Sequence, residues 1–133
     1  SSLDNDERLS TTEFMQLLES ISEDEGKADF LKQLIDAGID LNRVLDESSN
    51  LHPIHWACDY GNRKAVELLL THGIDIDEPD ETFMPKTPME HAAQEGHVEL
   101  VRFLFEKGAN ITDMTKFCIG ENEEIKEILG VSL

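Results

Sequence analysis

At 133 residues the chain suits one domain, and 39% hydrophobic residues supply enough apolar side chains for a core. With 30% charged residues and no apolar run near the roughly 18 residues a spanning helix needs, it does not read as a membrane protein. The 11 Lys and Arg against 29 Asp and Glu leave a net charge of −18, which argues against nucleic acid, whose phosphates demand a basic face, and against an anionic membrane surface.

The chain opens Ser1-Ser2-Leu3-Asp4-Asn5-Asp6-Glu7, polar and acidic, without an initiator Met or an apolar signal segment. It therefore reads as a processed chain or a piece of a longer one, with residues 1–9 expected to form a disordered acidic leader. Ser10-Thr11-Thr12-Glu13 matches a capping box, and Phe14, Leu17, Leu18 and Ile21 follow at i, i+3, i+4 and i+7, which predicts an amphipathic helix. After an acidic turn at Ser22 to Gly26, Phe30, Leu31, Leu34 and Ile35 predict a second helix ended by Gly38. Asn42 to Asn50 is a long connector, and Asn50 tolerates a positive φ at its turn. Pro53 suits a first helical position, Ala57 allows close helix approach, and Gly61-Asn62 reverses the chain. Val66, Leu68, Leu69 and Leu70 then predict the buried face of a return helix closed by Gly73.

A second connector runs from Ile74 to Lys86. Thr87 as N-cap, Pro88 at the first helical position and Glu90 three after the cap form another capping box. Ala92-Ala93, Gly96-His97 and the run Val98, Leu100, Val101, Phe103, Leu104, Phe105 repeat the earlier pattern up to Gly108. Glu124 to Leu129 predicts a last return helix, with an acidic outer face of Glu121, Glu123, Glu124 and Glu127.

These units recur on one period. Gly26, Gly61 and Gly96 are 35 apart (61 − 26 and 96 − 61), and so are Gly38, Gly73 and Gly108. The helix starts at Pro53 and Pro88 resemble the ankyrin repeat, whose first helix opens Thr-Pro-Leu-His-x-Ala. Pro53, Ile54, His55 and Ala57 occupy that pattern, with His52 for the threonine; Thr87, Pro88, Met89 and Ala92 occupy it again, with Glu90 for the histidine. The resemblance covers about residues 11–130 and implies an all-α solenoid of stacked helix-turn-helix units with projecting β-hairpin-like fingers. It divides the chain into repeats at about 10–43, 44–78 and 79–112, with divergent capping repeats at both ends and a C-terminal cap at 113–133. Both fingers carry about two residues beyond a family repeat of about 33. The last return helix is offset by 25 from its predecessor (124 − 99), so about ten residues of finger and first helix are expected to be missing there.

His52, His55 and Cys58, at steps of three, have the residue types of a small metal- or thiol-dependent enzyme or regulator. The resemblance gives them other roles. His55 matches a finger-organising hydrogen-bond group, Cys58 a small packing alanine, and His97 the histidine after the turn glycine. Neither cysteine completes a zinc spacing, the glycines are turn glycines, and carboxylates are too abundant for any pair to signal acid–base work. The expectation is a non-catalytic chain without cofactor or metal. Two cysteines and no disulfide framework suit an intracellular, cytoplasmic protein. Asn42, with Leu34, Asp40 and Leu41, resembles the ankyrin asparagines hydroxylated by a cytosolic oxygenase; its plainer role is to turn the finger root.

The resemblance implies protein–protein recognition, as a scaffold, adaptor or inhibitor, through finger tips and the exposed ends of first helices. Those positions hold Ser48, Ser49 and Leu51 in the first finger and Asp59 and Tyr60 at the end of the following helix. In the next repeat they hold Phe83, Met84, Lys86, Gln94 and Glu95. Phe83 and Met84 are large apolar residues in a loop, which marks either an interface or a tip folded back on its own finger. Trp56 and Tyr60 share a helix face, Trp56 packing partly between repeats and Tyr60 rising as an anchor. The partner expected is a protein, met by a monomer; the −18 charge is compatible with a basic partner, and its plainer role is to keep the chain soluble. An architectural spacer within a larger chain is the remaining alternative.

Overall fold

The computed structural model describes residues 50–131 and, ahead of them, positions 29, 32, 33, 36 and 38. Asp29, Lys32, Gln33 and Asp36 are helical, inside the segment expected to form the first return helix. The leader, the capping box at Ser10, and Asn42, Ser48 and Ser49 lie outside the described residues.

Among the described residues from 50 on, six helices form three pairs: α1 Pro53–Asp59 and α2 Arg63–Thr71; α3 Pro88–Gln94 and α4 Val98–Glu106; α5 Asp113–Ile119 and α6 Glu123–Leu129. The first helix of each pair starts from an extended residue, His52, Thr87 or Thr112, that must satisfy its own N–H. The third helical residue turns back to accept that proton, and three residue types do the job. Thr87 N–H donates to Glu90 Oε1 at 2.9 Å, His52 N–H to His55 Nδ1 at 3.0 Å, and Thr112 N–H to Thr115 Oγ1 at 3.0 Å. Two of these three return helices are capped by asparagine, Asn62 Oδ1 accepting from Ala65 N–H at 3.2 Å and Asn122 Oδ1 from Ile125 N–H at 3.1 Å, while α4 starts from His97 without a side-chain cap.

The expected 35-residue period is visible in the backbone, where Gly38, Gly73 and Gly108 share φ of +98°, +95° and +97°. At Gly73 nothing lies within 4 Å of an added Cβ, so the left-handed turn alone asks for glycine. At Gly61 a Cβ would also stand 2.7 Å from His97 Nδ1, so close packing of the next repeat adds a second reason. Asn50 has the positive φ, 58°, expected of it.

First helices pack in a row, α1 on α3 and α3 on α5, and α4 packs on α6. The core between the rows is Ile54, Ala57, Cys58, Val66, Leu69, Met89, Ala92, Val101, Leu104, Ile125 and their neighbours. The buried faces are narrower than the sequence implies. Leu68 and Leu70 are half-buried and Phe105 is exposed, each standing about 100° round the helix from Leu69 or Leu104, while Phe103 on the other flank of Leu104 stays buried.

The C-terminal unit differs from expectation in a defined way. Helices α1, α3 and α5 are each seven residues long, so no part of the first helix is missing. The connector from Thr71 to Pro88 has 16 residues (72–87) and that from Glu106 to Asp113 has 6 (107–112), so all ten missing residues come from the finger. The second finger itself is a narrow hairpin, closed by Asp80 N–H donating to the Lys86 carbonyl at 2.9 Å. It is joined to the first finger by Glu81 N–H donating to the Asn50 carbonyl at 2.8 Å. Beyond one bridge residue, Leu51, no strand forms among the described residues, so the second finger is a hairpin-like turn and not a regular ladder.

Candidate functional site

The finger is held by a buried polar cluster at its root. Asp80 Oδ1 accepts from Thr82 N–H at 3.1 Å and from the Thr82 hydroxyl at 2.6 Å, which shapes the turn. Its other oxygen lies 2.8 Å from His91 Nε2, and His91 Nδ1 lies 2.8 Å from Asp59 Oδ1. Both ring nitrogens therefore face carboxylates, which only an imidazolium can satisfy with two donors. Burial pushes the His91 pKa down, but the hydrogen bonds and charges of Asp59 and Asp80 outweigh it and hold it above 6.5. Burial likewise pushes Asp80 up, and hydrogen bonds from Thr82 and His91 outweigh it to hold the carboxyl low. One cation thus ties the end of α1, the middle of α3 and the finger.

His55, whose ring centroid is 5.0 Å from that of His91, is in the opposite state. Burial lowers its pKa to about 4, against the pull of the Glu78 carbonyl and with the help of the neighbouring His91. The neutral ring donates from Nε2 to the Glu78 carbonyl at 2.6 Å and accepts at Nδ1 from His52 N–H, the finger-organising role expected of it. With both nitrogens engaged, it has no lone pair left for a metal or a thiol. Cys58 is fully buried, and burial with the nearby Asp59 pushes its thiol well up. His52 Nε2 lies 3.0 Å from Glu81 Oε2, on the finger side. His52, His55 and Cys58 are thus not brought into one site, and among the described residues no three His, Cys, Asp or Glu side chains converge on a metal position.

Two cavities lie along the finger side. One, of about 270 Å³, gathers the predicted Asp59, Lys86, Gln94 and Glu95 around the His91 cluster. Leu51 forms part of its wall and is 8% exposed, so it offers the cavity little apolar surface. The second, of about 310 Å³, is lined by Met84, Lys86 and Gln94 together with Met114, Phe117 and Cys118 of α5. Lys86 Nζ donates to Gln94 Oε1 at 3.0 Å on the ridge that both cavities share.

The tip residues stand free. Phe83 is 98% exposed and Met84 59%, so the tip is not folded back. Tyr60, 41% exposed, stacks on half-buried Trp56 with centroids 6.1 Å apart, as expected. The structure does not place Tyr60 and Met84 on one cavity: Met84 turns to Phe117 of α5. Met114 and Phe117 were not foreseen, because the first helix of the last unit was expected to be truncated. Their i, i+3 spacing behind the Thr112 cap was the available signal. Asn42 is outside the described residues; one period on (42 + 35), Asp77 accepts from Asn110 N–H at 3.0 Å and Asn110 Nδ2 at 2.8 Å, joining neighbouring repeats.

A family model described as ankyrin repeats, in three copies, matches residues 17–115. The chain belongs to the ankyrin repeat family. Such repeats generally serve as protein–protein interaction modules and are typically non-catalytic. An ankyrin repeat protein of fowlpox virus (strain NVSL) is 31% identical over 86 residues, covering 65% of this chain and 19% of that protein. Protein phosphatase 1 regulatory subunit 27 of Mus musculus is 37% identical over 62 residues, 47% of this chain and 39% of that protein. The chain thus spans well under half the length of these curated relatives. The crystal structure of the human ASB11 ankyrin repeat domain matches with a TM-score of 0.69 at 24% identity, over 88% of this chain and 52% of that one, a likeness of fold.

Proposed function

We propose that this ankyrin domain binds a partner protein through the tip of its second finger and the groove beside it, as a monomer and without catalysis. The observation that carries this is the exposed pair Phe83 and Met84 on a finger whose root is fixed by Asp80, His91 and Asp59. A large apolar side chain held clear of its own fold by a buried ion cluster gains by being covered, and being already ordered it loses little entropy on binding. Lys86, Gln94 and Glu95 form a polar rim, and Tyr60 supplies a second aromatic contact further along α1. The net charge of −18 favours a basic partner, and the free thiols Cys58 and Cys118 suit a reducing, intracellular setting.

The test is capture of a partner from native extract, its identification, and titration against wild type and the Phe83→Ala, Tyr60→Ala double variant. Each truncation is expected to weaken binding by about 1–3 kcal/mol. Equal affinity of wild type and double variant would remove the finger-side site, and failure to capture any protein would remove the recognition role.

A further inference from the structure

The shortened last connector leaves a place in the fold unfilled. Among the described residues, neighbouring fingers are joined by a backbone bond from Glu81 N–H in the second finger to the Asn50 carbonyl in the first. One period on from Asn50 (50 + 35) is Pro85, an exposed residue on the far limb of the second finger. Where backbone is extended, successive carbonyls point to opposite sides, even outside a regular ladder. The Lys86 carbonyl is used inside the finger by Asp80 N–H, so that of Pro85 points outward, toward where a third finger would lie. The corresponding donor, one period on from Glu81 (81 + 35), would be residue 116, but with ten connector residues gone that position is Lys116 inside α5. Below this edge lies the cleft of about 310 Å³, walled by Met84 on one side and Met114 and Phe117 on the other. Phe117 is 81% exposed, large and apolar, in the region where the missing finger would stand over α5.

We propose, on the basis of the protein-recognition reading above, that an extended segment of the partner occupies the place of the missing third finger. Its backbone N–H donates to the Pro85 carbonyl, and a bulky apolar side chain enters the cleft between Met84 and Phe117. Strand addition at an open edge draws affinity from the backbone and selectivity from alternate side-chain pockets. Methionine walls adapt to side chains of differing shape, which fits a cleft built for a foreign residue. In the adjoining cavity Asp59 is already paired with His91 and Lys86 is tied to Gln94, which leaves Glu95; with the −18 of the whole chain, Lys or Arg next to the apolar residue is the complementary choice. The interface continues one already present between the first two fingers.

The probe is a phage-displayed library of linear peptides, selected on the wild-type chain and counter-selected on the Phe117→Ala variant. Enriched peptides are expected to carry a large apolar residue flanked by Lys or Arg. The Kd of a synthesised member should rise about tenfold or more with Phe117→Ala or Met84→Ala and stay unchanged with Thr71→Ala, at the exposed end of α2. N-methylation of alternate backbone nitrogens in the peptide is expected to abolish binding in an every-second-residue pattern. Unchanged melting of the Phe117→Ala protein confirms that the variant is folded. Enriched peptides that bind the variant as well as wild type, or that show no alternation on N-methylation, overturn the proposal. So does a concentration-dependent dimer in sedimentation that Phe117→Ala dissociates, since a second copy then fills the cleft. If native-partner binding depends on Phe83 while the peptides ignore Phe117, this inference falls and the broader recognition role stands.

Discussion

The α3–α4 and α5–α6 pairs are built alike up to a point and then part. Their first helices have the same length and the same reciprocal cap, Thr87 with Glu90 in one and Thr112 with Thr115 in the other. They differ in what precedes the first helix, 16 connector residues in one case and 6 in the other. Removing a finger leaves the stack intact and changes only the surface, so that α5 shows Phe117 where α3 shows none of its apolar residues. Helices hold the array together, and connectors decide what it presents. A single carboxylate joins the two pairs. Glu90 Oε1 accepts from Thr87 N–H in its own repeat, while Oε2 accepts from the hydroxyls of Thr112 at 2.6 Å and Thr115 at 2.8 Å in the next.

The comparison is broken most severely through the shared core. Leu69 is fully buried between repeats, and Leu69→Ala is expected to cost about 2–5 kcal/mol. Leu129→Ala, in a helix that among the described residues packs on α4 from one side, should fall at or below the bottom of that range because fewer neighbours hold the gap open. Denaturant midpoints of the two variants check this, and equal losses would mean the last pair is as firmly embedded as the middle one.

Next in size is the Glu90 joint. Glu90→Ala removes the acceptor for one N–H and two hydroxyls in a buried place, at about 1–3 kcal/mol for each group left without a partner. Glu90→Gln keeps one acceptor oxygen and should recover part of the loss. Amide hydrogen exchange is expected to show α5 and α6 opening before α3 and α4 in the Ala variant. Uniform exchange across both pairs would mean that Glu90 does not join them.

The two histidines at the finger root give opposite pH slopes. His91 has a folded pKa above 6.5, so its contribution is complete below about 6.5 and is lost as pH rises through the folded value. His55 has a folded pKa of about 4, so below 6.5 the unfolded chain binds a proton that the folded chain refuses, and stability falls as pH drops toward 4. Measured as melting temperature against pH, wild type minus His91→Gln should shrink above pH 6.5, and wild type minus His55→Gln should shrink below it. Difference curves that are flat across this range would remove the assigned charge states.

Much of this was legible in the sequence because the repeat states itself twice. The Gly73 and Gly108 turns, the Pro53 and Pro88 helix starts and the finger role of His55 all follow from the period and the motif. Glu90 was legible as a capping residue, but its reach into the next repeat was not. An acceptor in place of the family histidine needs donors from elsewhere, and Thr112 and Thr115 supply them 22 and 25 residues on. The His91 cluster was hidden for a similar reason, since Asp59 and Asp80 lie 32 and 11 residues away and only the stacked fold brings both to one ring. The small exposure of Leu51 was not legible, because its place in the repeat gives the backbone path and not the side-chain cover. The open cleft needed the knowledge that the finger alone was shortened, which an offset of 25 does not disclose.

The smallest effect on stability is expected at the most exposed residue. Phe83 is 98% accessible, so Phe83→Ala removes almost no contact made on folding and should change stability by no more than about 0.5 kcal/mol. Its neighbour Met84, half covered by the cleft, should cost slightly more when truncated. The finger root does not depend on either, because Asp80 is held by Thr82, His91 and the Lys86 carbonyl. The matched control is Val101→Ala, which opens a space in the core and should lower the melting temperature clearly. A Phe83→Ala protein that melts with wild type while binding its partner more weakly separates presentation from folding, as the loss of the third finger does. If it melts as low as the Val101→Ala protein, Phe83 is packed in solution and the finger tip is part of the core.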